Sequence, residues 1–322
     1  MKRRDMLIAS ASIALTNRTA IAAPEFPRSD TLIRYVVPFA PGGLTDVMAR
    51  TVAQKLAEAW KISIVVENKA GASGQIGAEQ VARSASDGSN LLAITSNHAV
   101  NVALFPNAAY NLVKDLRPVA LLANSPMLVV VPASSPLNDF RDLMAASKAR
   151  LLTAGSSSNG SATHLTMALF NDLNQTRMTH VPYKGGAPSM LDLISGRLDV
   201  IFSNFPESIV HVKAGKLRAL AICSAARHHV VPDVPTTSEA GMPELNVESW
   251  TGLMLPAKTP DGVVDRYSRE ISRIMRMPDV QERVKSQGFR LNFQGPEEFA
   301  QFLNTEISRW GRIIKVGNIS PE

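Results

Sequence analysis

Short apolar runs alternate along this chain with stretches of helical spacing. Ile33 to Phe39, Ser63 to Glu67 and Asn90 to Thr95 are aliphatic runs of strand length. Between the first two, Val47, Ala49, Val52, Ala53, Leu56 and Trp60 recur on one helix face, and Ile76 to Arg83 continues as a shorter helix. This alternation predicts βαβ units and a mostly parallel sheet. Near Ala120 the rhythm changes: Arg117 to Ala123 and Met127 to Val131 are two apolar runs separated by Asn124-Ser-Pro126, the pattern of a chain passing between lobes.

New units follow. Leu151 to Ala154, Met178 to Tyr183, Leu198 to Ser203 and Leu217 to Ser224 read as strands of a second sheet, with a helix from Thr163 to Phe170. An extended run, Ser249 to Leu255, then leads to three helical patterns, Gly262 to Met275, Pro278 to Gln287 and Pro296 to Lys315. The last carries Phe299, Leu303, Ile307, Trp310 and Ile314 on one stripe and should pack on a core. The expected architecture is α/β with two lobes, each an open mixed or parallel sheet flanked by helices. Residues 23–123 plus 250–322 form lobe 1, 124–249 form lobe 2, and a ligand cleft lies between them. Two crossings permit hinging, and ligands of open α/β sheets sit at the carboxyl ends of strands.

The loops after those strands share a chemistry. Pro41-Gly-Gly-Leu-Thr-Asp46, Gly155-Ser-Ser-Ser-Asn-Gly-Ser-Ala-Thr-His164 and Tyr183-Lys-Gly-Gly-Ala-Pro188 offer backbone N–H groups, hydroxyls and little bulk, and Thr95-Ser-Asn-His98 is a fourth such loop. First-turn N–H groups of a helix have no internal partner, so a carboxylate or phosphate is favoured there. Gly42 and Gly43 also have a plainer reading, as a turn from strand into helix. Asp46 either stabilises its own helix or orients a ligand ammonium or water; Lys184 is either a surface lysine or a charge partner for a carboxylate; His164 caps its helix or lines the cleft.

Composition narrows the function. With 322 residues, 45% apolar and 19% charged, the chain can bury a substantial core. Met1-Lys-Arg-Arg-Asp5, the apolar run Met6 to Leu15 and Ala20-Ile-Ala22 read as an export signal cleaved after about Ala22, by either of two export routes. That apolar run is too short to span a bilayer. Without residues 1–22 the charge falls from +6 to +3, 30 basic against 27 acidic residues. No basic run interleaved with aromatics points to nucleic acid. Cys223 is the one cysteine, so no intrachain disulfide forms, and its apolar run suggests a buried small hydrophobe.

Catalytic patterns are weak. Gly155-Ser-Ser-Ser-Asn159 lacks the final glycine of a nucleophile elbow, Gly71-Ala-Ser-Gly-Gln-Ile-Gly77 has the wrong spacing for a dinucleotide, and no Walker lysine follows a Gly-rich loop. The six histidines show no i, i+4 pair for a helical zinc site. No cofactor or metal is expected. The alternative enzyme would be an exported hydrolase using Ser157 or Ser158 with His164.

Several ordered blocks resemble one family: Val37-Pro-Phe-Ala-Pro-Gly-Gly-Leu-Thr-Asp46, Val66-Glu-Asn-Lys-Ala-Gly-Ala-Ser-Gly-Gln-Ile-Gly-Ala78 and His180-Val-Pro-Tyr-Lys-Gly-Gly-Ala-Pro188. Asp192-Leu-Ile-Ser-Gly-Arg-Leu-Asp199, Gly215-Lys-Leu-Arg-Ala-Leu220, Val234-Pro-Thr236 and Glu239-Ala-Gly241 extend the match over nearly the whole mature chain. These blocks resemble the Bug family of extracytoplasmic solute-binding proteins. The resemblance implies a periplasmic, monomeric receptor of the type II binding-protein arrangement that closes over a small carboxylate, an organic acid or an acidic amino acid, and serves the permease subunits of a tripartite tricarboxylate transporter. A sensor feeding a signalling protein would share the same cleft. The positions implied for the ligand are Phe39, Gly42, Gly43, Thr45 and Asp46; Ser96 and Asn97; Ser156, Ser157, Asn159, Gly160, Ser161, Thr163 and His164; Tyr183, Lys184, Gly185 and Gly186; and Ser203 with Asn204.

Overall fold

The computed structural model describes residues 26–316; the export signal and its cleavage site lie outside the described residues. The chain opens with β1 (Leu32–Val37), α1 (Leu44–Trp60), β2 (Ser63–Asn68), α2 (Gln75–Ala82) and β3 (Asn90–Thr95). β1 pairs in parallel with both β2 and β3, as alternating strands and helices require. Helix α3 (Ser96–Leu104) starts directly at the end of β3, where the sequence suggested only a loop. Thr95 and His98 form a reciprocal capping box there, which satisfies the first-turn donors and lets the helix begin without a linker. A single turn, α4 (Leu112–Asp115), leads to β4 (Leu116–Pro132).

β4 corrects the sequence reading. Its two apolar runs are one strand of 17 residues, and the two sheets are consequently one ladder, ordered β2-β1-β3-β9-β4-β7-β5-β6 with β10 and β8 also on β4. Asn124, Ser125 and Pro126 do not break it, because they stay paired with Trp250, Ser249 and Glu248 of β9 (Glu248–Pro256). Register shifts on either side of this segment bend the strand from one lobe into the other.

The second lobe contains α5 (Phe140–Ala149), β5 (Thr153–Ser156), α6 (Ala162–Asn174), β6 (Thr179–Pro182), α7 (Gly186–Ile194), β7 (Val200–Asn204), α8 (Phe205–Lys213) and β8 (Leu217–Cys223). β5 lies parallel to β6 and β7, whereas β7 and β8 run antiparallel to the far half of β4. β9 then returns between β3 and β4, antiparallel to both, and brings the chain back to the first lobe. α9 (Asp261–Met275), α10 (Pro278–Ser286), β10 (Arg290–Gln294) and α11 (Pro296–Val316) complete it. β10 has too short an alternation to declare itself in sequence; its pairing with β4 decides it.

α11 buries its apolar stripe as patterned. Phe299, Leu303, Trp310 and Ile314 are buried and Ile307 packs beside them. Burying each such side chain contributes roughly 1.5–3 kcal/mol. The indoles of Trp250 and Trp310 both donate to Glu306 Oε2, at 2.8 and 3.0 Å, which ties α11 to the strand that crosses between lobes. Cys223 is fully buried in the same continuous core, and burial raises its thiol pKa well above the usual range.

Candidate functional site

Five helices begin where strands of the two lobes end: α1 and α3 in the first lobe, α6, α7 and α8 in the second. Their N-caps are Gly43, Thr95, Ser161, Gly185 and Asn204. All five helix starts contribute to one small cavity of about 20 Å³ between the lobes. It is lined by Phe39, Gly43, Leu44 and Thr45 from around α1, Thr95 and Asn97 of α3, and Ser157 and Ala162 near α6. Gly185 and Gly186 of α7, Asn204 and Glu207 of α8, and Ser249 of β9 complete it. A space of this size holds about one water, so the lobes are closed on one another.

Two seams hold them together. At the first, Asn97 Nδ2 donates to Ser158 Oγ at 2.9 Å while Asn97 Oδ1 accepts from Ala162 N–H at 3.3 Å. Nearby, Ser73 Oγ donates to the carbonyl of Asn159 at 2.9 Å. At the second, Ala40 N–H donates to the carbonyl of Lys184 at 3.3 Å, and Leu44 N–H, in the first turn of α1, donates to Glu207 Oε1 at 3.2 Å. Gly185 makes that approach possible: its φ is +144°, and a Cβ there would stand 3.1 Å from Ala40 N.

The Pro-Gly-Gly turn is held from behind by Asp46. Its carboxylate accepts from Gly42 N–H, Arg50 Nε and Asn68 Nδ2, each at 2.9 Å. Burial alone would raise its pKa, but the bonds from Arg50, Gly42 and Asn68 hold it below the usual carboxylate range. Of the two roles open for Asp46, the geometry supplies the structural one. Lys184 is exposed and reaches the seam through its carbonyl, and Tyr183 donates its hydroxyl to Asp192 at 2.7 Å, fixing the turn before α7. Gly42 and Ser96 flank the lining residues, and Ser203 Oγ is turned back to the carbonyl of Asn204 at 2.8 Å.

The serine-rich loop largely satisfies itself. Ser161 Oγ caps α6 and bonds the Ser158 carbonyl at 2.6 Å, and Thr163 Oγ1 accepts from Ser157 N–H at 2.9 Å. Gly160 N–H donates to His164 Nδ1 at 3.1 Å, and the His164 ring stacks on His180 at 3.8 Å between centroids. Ser157 Oγ lies 3.2 Å from Thr163 Oγ1, and Ser158 Oγ accepts from Asn97, so the hydroxyls of the hydrolase alternative are engaged in loop and seam contacts. A close serine–histidine contact occurs instead between Ser156 Oγ and His180 Nε2, at 2.6 Å and away from the cavity lining. Burial lowers the His180 pKa to about 4, which leaves the ring neutral near pH 7.

Glu207 is the one acidic lining residue, and the sequence did not single it out. It stands three residues after the N-cap Asn204, where a glutamate ordinarily reads as a capping residue. Here Oε1 takes Leu44 N–H of the other lobe and Asn204 Nδ2 at 3.0 Å, and burial pushes its pKa up to about 7. Leu44, Thr95 and Ala162 lie within the loops read from sequence but were not singled out as contacts, and Ser249 enters the lining from β9, which no loop motif records.

A larger groove of about 970 Å³ opens at the hinge beside Trp250. Its Arg227, Arg290 and Arg309 already pair with Glu239, Glu248 and Glu306. Among the described residues no cluster of three or more His, Cys, Asp or Glu could hold a metal, and no helix is long and apolar enough to cross a membrane.

Two lobes meeting over converging helix N-termini define a solute-binding protein fold. Residues 48–319 match the family model described as a tripartite tricarboxylate transporter family receptor, and the chain belongs to that family. This is a family of periplasmic binding proteins, and its solved neighbours are binding proteins rather than enzymes. Protein BugT of Bordetella pertussis is 34% identical over 314 residues, covering 96% of this chain and 94% of that protein. Among solved structures, MatC of Rhodopseudomonas palustris with bound malate is 33% identical with a TM-score of 0.84, covering 88% of this chain and 99% of that one. R. palustris Rpa4515 with adipate is 32% identical with a TM-score of 0.89, covering 92% and 100%.

Proposed function

We propose that this protein captures a small carboxylate between its lobes and delivers it to the membrane subunits of a tripartite tricarboxylate-type transporter. The convergence of five helix N-termini on one interlobe cavity carries the reading, because such N–H groups and their dipoles favour an anion without needing a cationic side chain. Relatives of about one-third identity with malate and adipate bound support the ligand class. Contacts are assigned to Phe39, Gly43, Thr45, Asn97, Ser157, Gly185, Gly186 and Asn204, while Gly42, Asp46, Ser96, Ser156, Asn159 to Ser161, Thr163, His164, Tyr183, Lys184 and Ser203 shape the loops that present them. Residues 23–123 plus 250–322 and residues 124–249 act as the two jaws, hinged where β4 and β9 run side by side. The cavity of about 20 Å³ is smaller than any such ligand, so binding requires the jaws to part and reclose. The protein works as a monomer in the periplasm after cleavage near Ala22.

Calorimetry against three- to six-carbon mono- and dicarboxylates and their amino and amide derivatives tests this. At least one member should bind at one site, with X-ray scattering showing the unliganded protein compacting on addition. Gly43→Trp, at a lining residue with ordinary φ of −80° where an added Cβ would stand 3.4 Å from Glu207 Oε1, should weaken that binding at least about 100-fold. Absence of binding by every member, or unchanged affinity in the variant, overturns the reading.

A further inference from the structure

Glu207 is out of place in a cradle built for anions. It is 7% exposed, projects from the first turn of α8 into the interlobe cavity, and stands beside the N-termini of α1 and α7. Gly186, at the start of α7, has no side chain where a Cβ would run into the Glu207 carboxyl, and a Cβ on Gly43 would come to 3.4 Å from Oε1. The protein's own carboxyl group thus fills part of the space that two helix starts offer to a ligand.

Its two oxygens differ. Oε1 accepts from Leu44 N–H and from Asn204 Nδ2, whereas Oε2 is buried with no hydrogen-bond partner among the described residues. A capping role would turn this glutamate back to the N-cap backbone; Glu207 instead reaches across to the opposite lobe. An ionised carboxylate with one bare oxygen in a water-excluded cleft is costly, and a donor placed against it recovers a charge-assisted hydrogen bond. A second carboxylate beside it does the reverse, because two such groups sharing a desolvated site cannot both stay ionised.

The remainder of the lining is of the other kind. Asn97, Ser157, Thr95 and Ser249 are neutral side chains that can each donate a hydrogen bond, and Ala162 at the start of α6 gives its N–H to Asn97 Oδ1 in the closed form. The cavity therefore has a donor-rich side along α3 and α6 and an acceptor on α8.

We infer that Glu207 sets the ligand class of this receptor: it receives an N–H donor, an ammonium or amide, on a ligand whose carboxylate is held by the neutral helix starts. This rests on the carboxylate-receptor reading and narrows it, since a symmetric dicarboxylate would put one of its anionic ends against Glu207. Burial, which raises the pKa of this carboxyl, agrees with a group awaiting a counter-charge. On binding an ammonium it would ionise fully.

The test uses chain-matched probes of three to six carbons, each set comprising a dicarboxylate, its monoamide and the ω-amino acid, titrated by calorimetry at pH 8. The wild-type protein should bind the ω-amino or monoamide member of the best-fitting set at least 10-fold more tightly than the dicarboxylate. Glu207→Gln, which keeps the shape and removes the charge, should weaken the ω-amino member at least 10-fold, weaken the amide less because its own carbonyl still accepts, and tighten the dicarboxylate. Glu207→Ser should also abolish the preference, and thermal melts of both variants check that they fold. Wild-type preference for the dicarboxylate, or a preference unchanged in Glu207→Gln, overturns the inference while leaving the carboxylate receptor standing. No binding by any probe, in wild type or variants, overturns both.

Discussion

The two seams that close this protein are chemically unlike. Along α3 and α6 the lobes meet through Asn97, whose amide donates to Ser158 and accepts from Ala162, so every partner is neutral and closure desolvates no charge. Along α1, α7 and α8 they meet through Glu207, a buried carboxyl with one oxygen bonded and one bare. The first seam can form and break at modest cost. Closure of the second is coupled to whatever proton or donor sits on Glu207, so one jaw contact sets geometry and the other sets chemistry.

The harshest way to break the comparison is Gly186→Ala. The atoms nearest a Cβ there all belong to the Glu207 carboxyl, so ligand affinity should fall by about 100-fold through the second seam. Scattering should then show a ligand-saturated form less compact than wild type; full compaction and full affinity would mean that Glu207 moves aside freely.

The next test is pH. Glu207 carries a carboxyl raised from 4.5 to about 7, so the folded state holds its proton more tightly and stability falls as pH rises from 4.5 to about 7. That shift corresponds to about 3 kcal/mol. Buried His98 and His180 have the opposite sign: lowered by burial from 6.5 to about 4, they make stability fall as pH drops from 6.5 to about 4. Glu207→Gln should therefore melt higher than wild type at pH 8 and lose most of that advantage by pH 5. An advantage independent of pH would place the carboxyl in water rather than in the seam.

Asn97→Ala probes the neutral seam. It leaves Ala162 N–H without its side-chain acceptor and should weaken ligand binding by about 1–3 kcal/mol, without a new pH dependence between 5 and 8. Smallest is Asp46→Asn, which keeps the shape of the group behind the Pro-Gly-Gly turn but loses the charge that Arg50 meets. Because both carboxylate oxygens are buried acceptors and an amide nitrogen cannot accept from Gly42, Arg50 or Asn68, melting should show a stability loss of about 1–3 kcal/mol, while calorimetry should show a change in affinity under about threefold. A large loss of affinity would return Asp46 to the ligand.

Much of this was legible in the residues. The stripe Phe299, Leu303, Trp310 and Ile314, the βαβ rhythm and the glycine- and serine-rich loops after strands follow from periodicity and turn chemistry, which are local properties. The continuous β4 was not, because Asn124-Ser-Pro126 reads locally as a break and stays in the ladder through β9, a strand more than a hundred residues away in sequence. Helix α3 was hidden by its abrupt start, and β10 by its length.

By itself, then, the sequence determined many of the strands and helices and which loops carry glycines, hydroxyls and little bulk, since these depend on neighbours a few residues apart. Only the tertiary structure decided that five helix starts share one cavity, that Asn97 spans two loops, and that Glu207, locally an ordinary capping glutamate, is aimed at Leu44 of the opposite lobe. Those facts depend on how the strands are ordered in the sheet and on the lobes meeting, and no spacing along the chain encodes the desolvation that gives a carboxyl its role.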